Sequence, residues 1–262
     1  MRDSLFLLKE LVRRDQQSRY AGSALGFLWA LAQPLWQLLL FTLVFSVLIR
    51  IPLDQEPSTD RFAVFIFSGL IPWMAFNEGL TRATTAITDN AALVKKLSFP
   101  SEVLVLAVVI GALVQSVIAI GVFLPVLAFL GEASWSTLPL LVVPAAPLLA
   151  LTLGLGFLLA ALHVFFRDIG QLVTMALQAW FYFTPIVYPL SYVATSERFP
   201  KLAEWLALNP LTAICTGYRS ALLGAPLQLS SGYIVLLGGC LLVLVAGWSV
   251  FRRLRPAFPD EV

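Results

Sequence analysis

Trp29, Gln33, Trp36 and Gln37 recur at helical spacing, so at 3.6 residues per turn they fall within about 100° of arc and share one face. Phe62, Phe65, Gly69, Trp73, Phe76 and Asn77 form a second stripe with Pro72 inside it. Gln171, Met175, Gln178 and Tyr182 form a third, at spacings of four, three and four. Aromatic faces offer a negative quadrupole to the weakly polarised C–H groups on the flat side of a sugar ring. Amides pair with hydroxyls without fixing a charge, so a tube with such walls lets a polyhydroxylated chain slide. An ion pathway would want carboxylates or rings of carbonyls, whereas Glu78 and Glu132 both lie near the ends of apolar segments. Each stripe alone also reads as a helix-packing face or an interfacial belt. Three together favour a shared lumen.

Covalent chemistry has no obvious seat. There is no Ser/His/Asp or Cys/His set, and carboxylates are sparse. His163 is the only histidine; it stands near the end of an apolar segment without a visible carboxylate partner. Cys215 and Cys240 have neither CxxC nor histidine spacing, which argues against zinc or a disulfide framework and for small buried hydrophobes. The GLG at 154–156 follows no strand and reads as small-residue helix packing, and no GxxxxGK[ST] loop exists. If the chain works with ATP, another polypeptide must bind it.

The elements that would position these stripes are membrane helices. Of the 262 residues 59% are hydrophobic and 12% charged, against roughly 25% charged in a soluble domain. Stretches with the ~20 residues a crossing needs run over Leu28–Ile49, Phe62–Leu80, Val103–Leu130, Leu138–Phe166, Ile169–Leu190 and Tyr233–Phe251. The expected fold is an all-α membrane protein of six transmembrane helices in one domain, spans at 28–251. Placing the N-terminus inside puts twelve of the 17 lysines and arginines in inner segments, so both termini are expected to be cytoplasmic. No cleavable signal peptide is visible. The net charge of +2 reflects that inner bias and gives no reason to expect nucleic acid.

Two segments are neither span nor simple loop. SLFLLKELVRR (4–14) is amphipathic at about 100° per residue, so residues 1–20 are expected to lie at the cytoplasmic membrane surface, basic face toward anionic lipid, as an anchor or a docking element. Pro185 and Pro189 break the helix near the outer end of the fifth span. Beyond them come two short helices separated by Asn209 and Pro210, a cap followed by proline at the first helical position. They suit re-entrant elements that line an outer cavity or plug the fold.

RYAGSALGFLWALAQP (19–34), NAALVKKLSFPSE (90–102), FFRDIG (165–170), WFYFTPIVYP (180–189) and the NP at 209–210 resemble, in order and across nearly the whole chain, the type-2 ABC exporter permeases for polysaccharides, especially the O-antigen (Wzm-type) and teichoic acid permeases. The resemblance implies a homodimer of six-span subunits in the bacterial inner membrane. Two copies of an ATP-binding subunit would hold ATP and magnesium, with no cofactor on this chain, and the substrate would be an undecaprenyl-diphosphate-linked glycan. The channel expected from the three stripes includes Trp29, Gln33, Trp36, Phe62, Phe65, Trp73, Phe76, Gln178 and Tyr182, and the resemblance implies a contact for lipid phosphate at Arg19. It also implies ATPase coupling through residues 82–100, with Asp89, Asn90, Lys95 and Lys96, and an outer gate of Pro185, Tyr188, Pro189, Asn209 and Pro210. Ala21, Val105 and His163 stand where relatives often carry a basic residue, proline and asparagine. Two other functions remain open: a type-2 ABC permease for a drug or lipid, and a membrane assembly protein whose spans only pack.

Overall fold

The computed structural model describes residues 2–19, 23, 26, 28–44, 59, 61–95, 99–194, 201–225 and 231–262. Regular structure among them is helical, with no strand: α1 (Arg2–Arg19), α2 (Leu28–Phe41), α3 (Phe62–Thr85), α4 (Ala91–Val94), α5 (Glu102–Leu130), α6 (Val142–Phe165), α7 (Ile169–Tyr182), α8 (Leu190–Ala194), α9 (Leu202–Leu208), α10 (Pro210–Leu223), α11 (Ser231–Leu254) and α12 (Phe258–Glu261). Among the described residues four helices are long and apolar enough to cross a membrane, over Phe62–Thr85, Glu102–Leu130, Leu138–Phe165 and Gly232–Glu261; Leu28–Val44 is a shorter apolar helix. The expected first span beyond residue 44 lies outside the described residues. The expected fifth span, Ile169–Leu190, is helical only to Tyr182. Pro185 disfavours helical backbone at Thr184. The chain turns there, with the Thr184 hydroxyl donating to the Trp180 carbonyl at 2.9 Å and the Tyr188 hydroxyl to the Tyr182 carbonyl at 2.8 Å.

A helix that is hydrophobic all round is buried, and α3 is the centre of the bundle: every residue from Phe62 to Trp73 is buried. Around it pack α5, α6, α7 and α10, with Phe67 meeting Phe123 of α5 at 4.7 Å between ring centroids. Among the described residues, α6 packs closely against α11. A Cβ added at Gly154 would stand 2.6 Å from the Leu244 backbone nitrogen, and Gly247 faces the Gly154 carbonyl with no more room. The expected small-residue packing of GLG is therefore present at Gly154.

Polar ties close both ends. Where α3 begins, Gly131 ends α5 in left-handed conformation (φ 77°), and the Glu132 amide returns to the Leu127 carbonyl at 2.9 Å. Glu132 then accepts from the Thr59 hydroxyl at 2.7 Å and pairs with Arg61 at 3.1 Å, fixing the entry to α3. At the opposite end Ile87, Val94, Val105, Phe157, Phe251 and Phe258 form a second core. Residues 252–262, beyond the last expected span, are folded here: Phe258 is fully buried against Phe251, and Arg255 pairs with Glu102 at 3.0 Å. Helix α1 lies along α5, with Gln16 Nε2 donating to the Gly111 carbonyl at 3.0 Å and Asp15 paired to Arg82 of α3.

Candidate functional site

Helix α7 is amphipathic in an unusual sense. Val173 and Leu177 face inward, and Trp180 and Phe181 meet Phe76 and Trp73 of α3 edge to face at 5.3 and 5.5 Å. The other side carries Gln171, Met175, Gln178 and Tyr182, all exposed, Tyr182 at 69%. Helix α2 presents a similar face: Trp29 is 46% and Trp36 60% exposed, with Gln33 exposed beside them. Trp29 is steadied by its indole N–H, which donates to the Ser23 hydroxyl at 2.8 Å, and Gly26 at φ 49° makes the turn that leads into the helix. Amides left bare in hydrocarbon cost several kcal/mol each. Both faces therefore call for a cover other than lipid.

Between α2, α3, α5 and α7 lies a cleft of about 650 Å³. Its polar wall is Gln33 and Gln37 from α2, Asn77 and Glu78 from α3, and Gln115 and Ser116 from α5; Trp73, Phe41 and Phe181 supply rings. Gln37 Oε1 is buried there without a hydrogen-bond partner among the described residues, and Glu78 stands 3.6 Å from Arg82. Of the α3 stripe, Trp73 and Asn77 reach the cleft. Phe62, Phe65 and Phe76 are buried inside the chain and are not among the cleft's lining residues: Phe76 packs toward α7, Phe65 toward Arg219 of α10, and the cluster of Phe62 and Phe65 also against Phe41 of α2 and Val187. Gln115 and Ser116 were detectable in the sequence as an isolated polar pair in a 29-residue apolar helix.

The two proline breaks and the NP pair meet in one place. Asn209 caps α10 by accepting from the Leu211 amide at 3.1 Å, and Pro210 takes the first helical position. Asn209 Oδ1 also accepts from the Trp180 indole at 3.0 Å, while Nδ2 donates to the Phe183 carbonyl at 3.0 Å and the Thr184 hydroxyl at 2.9 Å. Pro185 and Pro189 are buried and Tyr188 half-buried. Helix α10 is packed against α3, α6 and the 138–141 turn, and Arg219 lies within it, 6% exposed. Its signal in the sequence was a lone cation, the tenth residue of α10, among otherwise uncharged residues.

A family profile described as ABC-2 type transporter matches residues 7–223, from within α1 to the end of α10. The chain belongs to the ABC-2 transporter membrane family. It is 33% identical over 260 residues to the O-antigen export system permease protein RfbA of Myxococcus xanthus, with 98% of this chain and 95% of the relative covered. To the O-antigen export system permease protein RfbA of Klebsiella pneumoniae it is 29% identical, covering 97% and 94%. The polysialic acid transport protein KpsM of Escherichia coli is 23% identical, with 95% and 94% covered.

In this ABC-2 family chain the segment after α3 is a built surface. A helical turn over Thr88–Asn90 leads into α4; the Thr85 hydroxyl donates to Asp89 at 2.7 Å, and Asn90 Nδ2 donates to the Ala86 carbonyl at 2.9 Å. Ile87 and Val94 anchor it in the second core, while Asp89, Ala92 and Lys95 stand exposed at spacings of three, on one face. Lys96 lies outside the described residues. Behind the segment Leu11, Arg14 and Asp15 of α1 enclose, with Arg82, Asp89 and Asn90, a cavity of about 280 Å³. Arg19 ends α1, and its side chain is outside the described residues. His163 is buried at the turn from α6 to α7, where a Cβ on Gly170 would stand 3.1 Å from the imidazole. Both cysteines are buried and free.

Proposed function

We propose that this chain is the membrane subunit of an ATP-driven exporter of polysaccharide, with the amide and aromatic faces of α2 and α7 lining the path of the glycan. The observation that carries the reading is that these faces hold Trp29, Gln33, Trp36, Gln178 and Tyr182 uncovered by the chain itself, with Gln33 also lining a cleft walled by further amides. Two copies of the chain placed with these faces toward each other would enclose a lumen. Helices α2 and α7 then count as the first and fifth of six crossings, both termini are cytoplasmic, and α1 lies at the inner surface of the bacterial inner membrane. ATP is hydrolysed on two copies of a separate subunit that docks on Asp89, Asn90, Lys95 and Lys96.

The names of the relatives, two O-antigen permeases and a polysialic acid transport protein, support a polysaccharide over a drug. Among the described residues of the α2 and α7 faces there is no charged side chain, and the one carboxylate of the cleft, Glu78, faces Arg82. Such walls suit neutral sugars rich in hydroxyls, carried on undecaprenyl diphosphate whose phosphates meet Arg19. Phe62, Phe65 and Phe76 serve this path from behind, by setting the position of α7 and α10.

Trp36→Ala combined with Tyr182→Ala tests the reading. Each ring contributes about 0.5–1.5 kcal/mol of contact, so the double variant is expected to export about fivefold less surface polysaccharide per assembled permease–ATPase complex. Normal export per complex would overturn the path; a fall only in complex number would assign the rings to packing.

A further inference from the structure

Residues 183–186, where α7 breaks, are held from both ends of α10. At its start stands Asn209, bonded to Phe183 and Thr184. Ten residues on, Arg219 reaches across α3: Nε donates to the Phe65 carbonyl at 3.1 Å, and Nη2 donates to the Pro185 and Ile186 carbonyls, both at 3.0 Å. The guanidinium carbon lies 3.7 Å over the Phe65 ring. One turn back on α10, Cys215 Sγ donates to the Gly69 carbonyl at 3.3 Å, so positions 215 and 219 of α10 meet 69 and 65 of α3 turn for turn. The site is built around the arginine. A Cβ on Gly69 would stand 2.5 Å from Nη2, so any larger residue there would displace the guanidinium.

We propose that Arg219 is the positioning residue that latches the outer gate, holding the 183–186 turn shut against α3. This rests on the exporter reading, in which that turn closes the outer end of the path. A guanidinium presents several donors in a fixed fork, so one side chain bonds two separate segments at once. Moving residues 185–186 away from α3 must break those bonds together, which makes the gate open as a unit instead of fraying. Asn209 is the hinge at the other end of the same turn.

The test uses the native cysteines in the full permease–ATPase complex, in right-side-out membrane vesicles exposed to a membrane-impermeant maleimide, with labelling at each cysteine read by peptide mass. Arg219→Met keeps the bulk and removes every donor; Gly69→Ala keeps the arginine and displaces it from the opposite wall. Cys215 is expected to be protected in the wild type and to label about tenfold faster or more in both variants, since the opened population sets the rate, with Cys240 of α11 unchanged. Unchanged labelling of Cys215, or a parallel rise at Cys240, would overturn the latch; if Arg219→Met fails to accumulate, Gly69→Ala decides alone. The exporter reading fails separately, if deletion of the gene leaves the surface glycan intact, and that result does not touch the labelling.

Discussion

Asn209 spends all of its hydrogen-bonding capacity on joining two elements. Its carbonyl oxygen serves the Leu211 amide and the Trp180 indole, and its amide nitrogen serves Phe183 and Thr184. Asn209→Ala is expected to lower stability by about 1–3 kcal/mol, the loss of a cap plus stranded buried donors, read as a lower thermal midpoint of the purified protein. Asn209→Asp keeps both acceptor roles and loses both donors, so it should fall between wild type and alanine. An alanine variant as stable as wild type would mean that the turn is held elsewhere. The cap and the proline after it were legible in the sequence, because both act on the residues next to them. The partners on α7 were not, since they lie 25 to 29 residues away and nothing in a cap motif points along the chain that far.

At the scale of elements, periodicity identified faces and left open what covers them. On α7 and α2 the amide stripes are the open faces. On α3 a stripe of the same appearance is turned to Trp180 and Phe181 and to α10, because a central helix meets neighbours on every side. The small-residue pair behaves as its chemistry demands: Gly154→Val should cost about 1–3 kcal/mol or more through overpacking against the α11 backbone, measured as loss of folded protein in detergent. The α3–α4 connection makes a further expectation. With Ile87 and Val94 rooted in the core and Asp89 exposed, a cysteine at Asp89 should crosslink to the ATPase subunit, and crosslinks confined to residues after Arg252 would place docking elsewhere. Arg82→Ala removes the tie to Asp15, a charged hydrogen bond of the class worth about 1.5–3 kcal/mol. It should leave ATP hydrolysis in place while lowering export per ATP consumed, and an unchanged ratio would exclude α1 from coupling.

For the whole molecule, the four apolar stretches that form helices long enough to cross a membrane were legible from composition, since a bilayer demands long uninterrupted runs. How far each run stays helical was not, because that depends on where a proline turn finds partners. Reporter fusions after Asp54 and Ser196 should score outside, and those after Lys96 and Asp168 and at the C-terminus inside; an outside score at Lys96 would overturn six crossings. Cysteines at Met175 should form a disulfide between two copies if the open face of α7 meets its symmetry mate. The length of that helix carries one more consequence. Fourteen residues rise only ~21 Å, against ~30 Å of hydrocarbon in an ordinary bilayer. Where α7 itself meets lipid, its wall matches a thin membrane, and lipid there must shorten or tilt to meet it. Lipid chain length then becomes a control on transport: reconstitution in short-chain lipids should raise export-coupled ATP hydrolysis relative to long-chain lipids, by relieving mismatch that the protein alone otherwise bears.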